Sequence, residues 1–132
     1  MVVVDSSVWI DYFNGKDTLQ TERLGNVISG SIIVVGDLIL AEVLQGFRED
    51  RDYKIAKSLL EELELVTMSN VDIAFKSANN YRFLRKKGMT VRKTVDCLIA
   101  TYCIENQLPL LHSDKDFDAF SAHLGLKSVM AL

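Results

Sequence analysis

Asp5, Glu42, Asp96 and Asp114 lie far apart along the chain, yet each stands at the end or on the inner face of an apolar segment. Asp5 closes the run Met1-Val2-Val3-Val4, and Asp114 follows Leu110-Leu111-His112-Ser113. Glu42 and Asp96 sit inside helical patterns of Leu, Ile, Val and Ala. An ionised carboxylate among apolar side chains is costly unless something compensates it. If the fold gathers all four, their repulsion in a low-dielectric cleft is severe, and divalent cations are what relieves it. An all-oxygen donor set favours magnesium or manganese over zinc. Two such ions about 4 Å apart can activate a water, orient a phosphodiester and stabilise its leaving oxygen. Taken singly, each acid also has a structural reading: Asp5 as a helix cap, Asp96 as a first-turn charge, Asp114 and Asp116 as turn formers. Their common placement on one rim is what favours metal-ion catalysis.

That rim depends on the elements around it. Val2 to Asp5 and Ile32 to Val35 read as strands buried on both faces. Ser6 or Ser7 is placed to cap a helix with Val8, Trp9, Tyr12 and Phe13 on its apolar side, ended by Asn14-Gly15. A second helix is expected over Thr18 to Ile28, with Leu19, Leu24, Val27 and Ile28 inward and Gly30 as its stop. Gly36-Asp37 opens the helix of Glu42, with Leu38, Ala41, Val43 and Leu44 in the core. Asp52 starts the next, which carries Ile55, Leu59, Leu60 and Leu63. Leu65 to Met68 suits a short strand, and Asn70 caps a long helix to about Lys87 that Gly88 terminates. Thr94 caps a helix through Asn106, with Val95, Leu98, Ile99, Tyr102 and Cys103 inward. Pro109 precedes a strand over Leu110 to His112, a short helix follows Asp116, and Ser128 to Ala131 suits an edge strand. Strands alternating with helices predict an α/β fold with a short parallel sheet covered on both sides. In such sheets functional groups gather beyond the strands' carboxyl ends, where Asp5 and Asp114 fall.

The bulk properties narrow the function classes. The 132 residues fit one domain, with 48% hydrophobic and 25% charged residues as in ordinary globular proteins. No apolar run is long enough for a transmembrane helix, and no basic segment precedes the first strand as in a signal peptide. Cys97 and Cys103, six residues apart on one expected helix, would stand about 9 Å apart along its axis, too far for a disulfide. They are expected to be buried free thiols in a reducing, cytoplasmic setting. No CxxC or HxxxH zinc spacing occurs, and His112 and His123 form no serine–histidine–acid set. The net charge of −3 argues against extensive duplex binding. Arg82, Arg85, Lys86, Lys87, Arg92 and Lys93 nonetheless cluster just before Asp96, either as a solvated face or as a phosphate-contacting patch. Trp9, Tyr12, Phe13 and Phe47 read as core packing, with a groove for an apolar partner helix as the other possibility.

Four segments together carry a family resemblance. Val4-Asp5-Ser6-Ser7-Val8-Trp9-Ile10 resembles the opening strand and turn of PIN-domain nucleases. Asp37-Leu38-Ile39-Leu40-Ala41-Glu42-Val43 resembles their second acidic segment and Thr94-Val95-Asp96-Cys97-Leu98-Ile99-Ala100 their third. Leu111-His112-Ser113-Asp114-Lys115-Asp116-Phe117 resembles the last, with Ser113 where many relatives carry threonine. The order of the segments and the chain length are similar to those of the VapC toxins of bacterial and archaeal toxin–antitoxin pairs. The resemblance implies a single PIN-like three-layer α/β/α domain over residues 1–132. It also implies a magnesium- or manganese-dependent endoribonuclease toxin, usually a homodimer, neutralised by a cognate antitoxin. By position, Asp5, Glu42, Asp96 and Asp114 would be the catalytic and metal-site acids, and Asp116 an additional acid. Ser6 and Ser113 would orient a water or a carboxylate. Arg82, Arg85, Lys86, Lys87, Arg92 and Lys93 would face RNA or an acidic antitoxin segment. Two other readings stay open: a PIN-type nuclease processing RNA or DNA without an antitoxin, and a non-enzymatic α/β module that binds a partner.

Overall fold

Four parallel strands form the centre of the computed structural model, which describes residues 1–129. They are β1 (Val2–Val4), β2 (Ile33–Gly36), β3 (Glu64–Val66) and β4 (Leu110–Leu111), in the spatial order β3-β2-β1-β4. Val3 of β1 pairs with Val34 on one side and Leu110 on the other, and Val35 pairs with Leu65. Every residue of β1, β2 and β4 is buried, as continuous apolar runs require. Edge strand β3 is short, half exposed and begins with Glu64, which discourages pairing with another sheet.

The sheet is flanked by α1 (Ser6–Phe13), α2 (Leu19–Gly30), α3 (Asp37–Leu44), α4 (Asp50–Glu61), α5 (Val71–Lys86), α6 (Thr94–Glu105) and α7 (Asp118–His123). A 3-10 turn over Lys115–Phe117 joins β4 to α7. The helices α5 and α6 pack together, and α1 packs on α2 and α3. Trp9, Phe117, Phe120, Ile99 and the apolar residues of β1, β2 and β4 share one hydrophobic cluster. The α/β architecture with a short parallel sheet is therefore the one expected. Among the described residues, no helix is long and apolar enough to cross a membrane.

Several local expectations are corrected. Asp5 itself, and not Ser6 or Ser7, caps α1, because its extended backbone aims the carboxylate at the Ser7 N–H. In α2 only Leu24 is buried, while Leu19 and Ile28 face out and Gly30 belongs to the last turn. In α3 the buried residues are Ile39 and Val43, with Leu38 and Leu44 half-buried and Ala41 exposed. The α4 helix starts at Asp50, with Ala56 and Leu60 inward and Ile55 exposed. Lys93 precedes α6, so Thr94 is its first helical residue and not its cap. Strand β3 ends at Val66; Met68 is buried but outside it. Ser128 makes one parallel bridge to Leu110, and the remainder of the expected last strand, residues 130 and 131, lies outside the described residues. Asn70 caps α5 as expected, and Gly88, at φ +81°, takes the left-handed conformation that ends it.

Candidate metal centre

Each acidic side chain reaches the carboxyl edge of the sheet from its own element. Asp5 leaves the end of β1 directly and is 3% exposed. Its Oδ2 accepts from the Ser7 hydroxyl at 2.6 Å and the Ser7 N–H at 3.2 Å, while its Oδ1 is buried with no hydrogen-bond partner. Ser7 in turn accepts from Ser113 Oγ at 3.2 Å, which links the β1 and β4 ends. Glu42, half-buried, projects from α3, and its Oε1 accepts from Ser6 Oγ at 3.1 Å.

Local contacts set where α3 begins. Asp37 at its first position accepts from the Met68 N–H at 2.7 Å and from the Ser69 hydroxyl. Met68 packs so closely on Gly36 that a Cβ there would overlap its side chain. The chain after β3 is thereby locked to the start of the helix that carries Glu42.

Asp96 occupies the first turn of α6, is buried, and has one oxygen, Oδ2, without a partner. Asp114 follows β4 and accepts from the Asp116 N–H at 2.9 Å, which caps the 3-10 turn and brings Asp116 back over the sheet edge. Carboxylate oxygens of Asp96, Asp114 and Asp116 lie within 4.8 Å of one another. Arg92 Nε stands 3.8 Å from Asp116 Oδ1.

The electrostatics ties the two groups into one rim. The Asp96 carboxyl is pushed up to about 7, first by burial, then by the charges of Asp5, Asp114 and Glu42, with Lys93 opposing. Burial also raises the Asp5 carboxyl, against the lowering effect of its hydrogen bonds to Ser7 and Ser6 and of His112. The Glu42 carboxyl is raised by burial and by Asp5, and lowered by Ser6 and Lys93. Carboxylates that resist ionisation together, two of them with an unpartnered buried oxygen, suit a cation more than another hydrogen-bond donor.

The five acids singled out from the sequence thus fall into two adjoining sets, Asp5 with Glu42 and Asp96 with Asp114 and Asp116. Ser6 orients a carboxylate directly, whereas Ser113 reaches Asp5 only through Ser7. Ser7 was the residue missed; an aspartate followed by two serines at a strand-to-helix turn is the cap pattern that signals it. Of the six basic residues, Arg92 and Lys93 adjoin the acids, and Arg82, Arg85, Lys86 and Lys87 form no ion pair with them among the described residues. His112 is buried beside Phe117 with ring centroids 4.9 Å apart, and burial holds its imidazole below the usual range. An open cavity of about 330 Å³ adjoins Asp114, lined also by His112, Ser113, Lys115 and Asp118. A larger one, about 750 Å³, lies between α1 and α2 and contains none of the five acids. Both cysteines are buried free thiols, as expected. The aromatic residues Trp9, Tyr12, Phe13 and Phe47 pack on one another, Trp9 fully buried.

Comparison with known proteins identifies the family and the fold. The model of the PIN domain family matches residues 2–122. Ribonuclease VapC11 of Mycobacterium tuberculosis is 27% identical over 130 residues, covering 97% of each chain. The fold is shared with the crystal structure of VapBC2 from Rickettsia felis bound to a promoter DNA fragment, at a TM-score of 0.76 and 18% identity over 97% of both chains. It is also shared with Mycobacterium tuberculosis VapC20, described as a Sarcin-Ricin loop cleaving toxin, at 0.69 and 15% identity over 90% of this chain and 94% of that one.

Proposed function

Because this chain belongs to the PIN domain family, we propose that it is a VapC-type endoribonuclease toxin that hydrolyses RNA phosphodiester bonds at a magnesium- or manganese-dependent acidic centre. The observation that carries this reading is the crowding of Asp96, Asp114 and Asp116, with Asp5 and Glu42 near enough for their charges to act on Asp96, and with Asp5 Oδ1 and Asp96 Oδ2 buried and unpartnered. Asp96, Asp114 and Asp116 would hold one cation, and Asp5 with Glu42 would complete the centre beside Asp96. A divalent cation there supplies charge neutralisation and lowers the proton affinity of a water poised for attack on phosphorus. The chain's own part is positional. Ser7 and Ser6 hold Asp5 and Glu42 in fixed rotamers, Ser113 steadies Ser7, and Lys93 offsets part of the acidic repulsion. No protein nucleophile is required.

The relatives named ribonuclease and the neighbours solved as VapBC complexes support an RNA substrate and an antitoxin partner; pairing with a second copy of itself rests on the resemblance to VapC toxins alone. The test is incubation of total cellular RNA with magnesium, manganese or chelator, followed by mapping of the ends. Discrete cuts with either metal and none in chelator are expected, and Asp5→Asn should abolish them while leaving the circular dichroism spectrum unchanged. Full activity of a folded, metal-loaded Asp5→Asn protein would overturn the mechanism. Co-expression with a neighbouring small antitoxin should relieve growth arrest.

A further inference from the structure

We infer that Arg92 is an RNA-phosphate contact that Asp116 keeps occupied, and that cation loading of the acidic centre frees it for the substrate; this rests on the metal-dependent ribonuclease reading. Four of the six clustered basic residues form no ion pair with the acids among the described residues. Arg85 lies over the Tyr81 ring at 5.6 Å and Lys87 over the Phe83 ring at 5.1 Å, and neither they nor Arg82 and Lys86 pair with a rim acid among the described residues. Arg92 differs. Its side chain is 81% exposed, yet its Nε stands 3.8 Å from a carboxylate oxygen of Asp116, whose side chain is only 13% exposed.

Asp116 also offers a carboxylate oxygen within 4.8 Å of those of Asp96 and Asp114. One carboxylate therefore faces two competing cations: the guanidinium and an ion held by three acids. An exposed ion pair of this length contributes at most about 1 kcal/mol, so a divalent ion sharing three carboxylates displaces it readily. The freed guanidinium stays tethered beside the acids on the segment between Gly88 and α6. Its planar fork pairs with two phosphate oxygens better than with one distant carboxylate oxygen. Lys93, the next residue, already attenuates the Asp96 and Glu42 charges, so the pair would line the strand's approach. Metal before RNA is the order that follows.

The experiment is a double-mutant cycle on binding, which needs no catalysis. A fluorescein-labelled 2′-O-methyl RNA oligonucleotide of mixed sequence is titrated at low salt, read by anisotropy, with wild type, Asp116→Asn, Arg92→Gln and the double variant. In EDTA, Asp116→Asn should bind up to about fivefold tighter than wild type, because Arg92 is released without metal. The double variant should lose most of that gain. In calcium, wild type should gain at least about threefold more affinity than Arg92→Gln does. Arg92 is exposed, and melting curves of each variant confirm that it folds. An equal gain from Asp116→Asn with and without Arg92 overturns the inference, as does a calcium response unchanged by Arg92→Gln or an absence of RNA binding by every variant. Cleavage of unmodified RNA by wild type in magnesium is run in parallel. If that fails, the ribonuclease reading falls; if it succeeds without the coupling, only the inference about Arg92 falls.

Discussion

On the β1 side of the rim each carboxylate has one oxygen held by a serine hydroxyl: Asp5 by Ser7 and Glu42 by Ser6. On the side formed by α6 and the end of β4, no hydroxyl reaches Asp96, Asp114 or Asp116 among the described residues; their organising contacts are the Asp116 N–H and a long ion pair to Arg92. The first half is arranged before any cation arrives. The second has three carboxylates crowded together, and in it Asp96 resists ionisation, first through burial and then through the charges of Asp5 across the rim and of Asp114. The difference shows where stability and function oppose each other: hydroxyls orient acids cheaply, but crowding acids destabilises the metal-free fold.

The sharpest way to break this contrast is Asp96→Asn. It should lower metal-dependent RNA cleavage by about 10²–10³-fold, the scale for removing one electrostatic stabiliser of a transition state. The same change should raise the melting temperature of the metal-free protein, since it removes a charge that burial and Asp5 disfavour. Cleavage lost together with stability would mean that Asp96 is an ordinary structural acid.

A second test uses pH. The folded carboxyl of Asp96 titrates near 7 against 3.8 for a free aspartate, so the native state holds a proton that the unfolded state has lost. Its stabilising contribution is therefore full below about pH 4 and disappears as pH rises through 7; the Asp5 and Glu42 shifts act in the same direction. In chelator, the wild-type melting temperature relative to Asp96→Asn should fall by several degrees between pH 4 and 8. Magnesium should remove or reverse the slope. A flat difference in chelator would show that the crowding is relieved without a cation.

The smallest effect separates the serines of the first half. Ser7→Ala removes a 2.6 Å hydrogen bond to a buried carboxylate and should cost about 1.5–3 kcal/mol in urea unfolding, with a several-fold drop in cleavage. Ser113→Ala acts one bond further away and should cost less than about 1 kcal/mol. Equal costs would dissolve the relay.

What could be read from the chain follows from periodicity and local chemistry. The runs Val2 to Val4 and Leu110-Leu111 had to be buried strands, and the acids that end such runs had to meet at one sheet edge. Asn70 and Gly88 bound α5 because side-chain capping and a positive φ are local requirements. The inward face of α2 departs in part from the periodic expectation for a nonlocal reason: Leu24 is buried and Val27 packs half-buried on the core, but Leu19 and Ile28, which fit the same stripe, face out. Asp5 as cap displaced Ser6 and Ser7 because the strand's exit direction decides which oxygen reaches the free N–H groups.

The amino-acid order by itself determined the α/β alternation and the oxygen-only donors Asp5, Glu42, Asp96 and Asp114, because burial patterns and donor types are properties of residues and their neighbours, while Asp116 came from the family resemblance. Only the tertiary structure decided that Ser6 serves Glu42, that Ser113 reaches Ser7, and that Arg92 alone among six clustered basic residues meets Asp116. Those pairings join residues 36 and 106 positions apart for Ser6–Glu42 and Ser7–Ser113, and no local rule encodes them. They arise when parallel strands bring their carboxyl ends together, and the side chains at that edge divide the available partners among themselves.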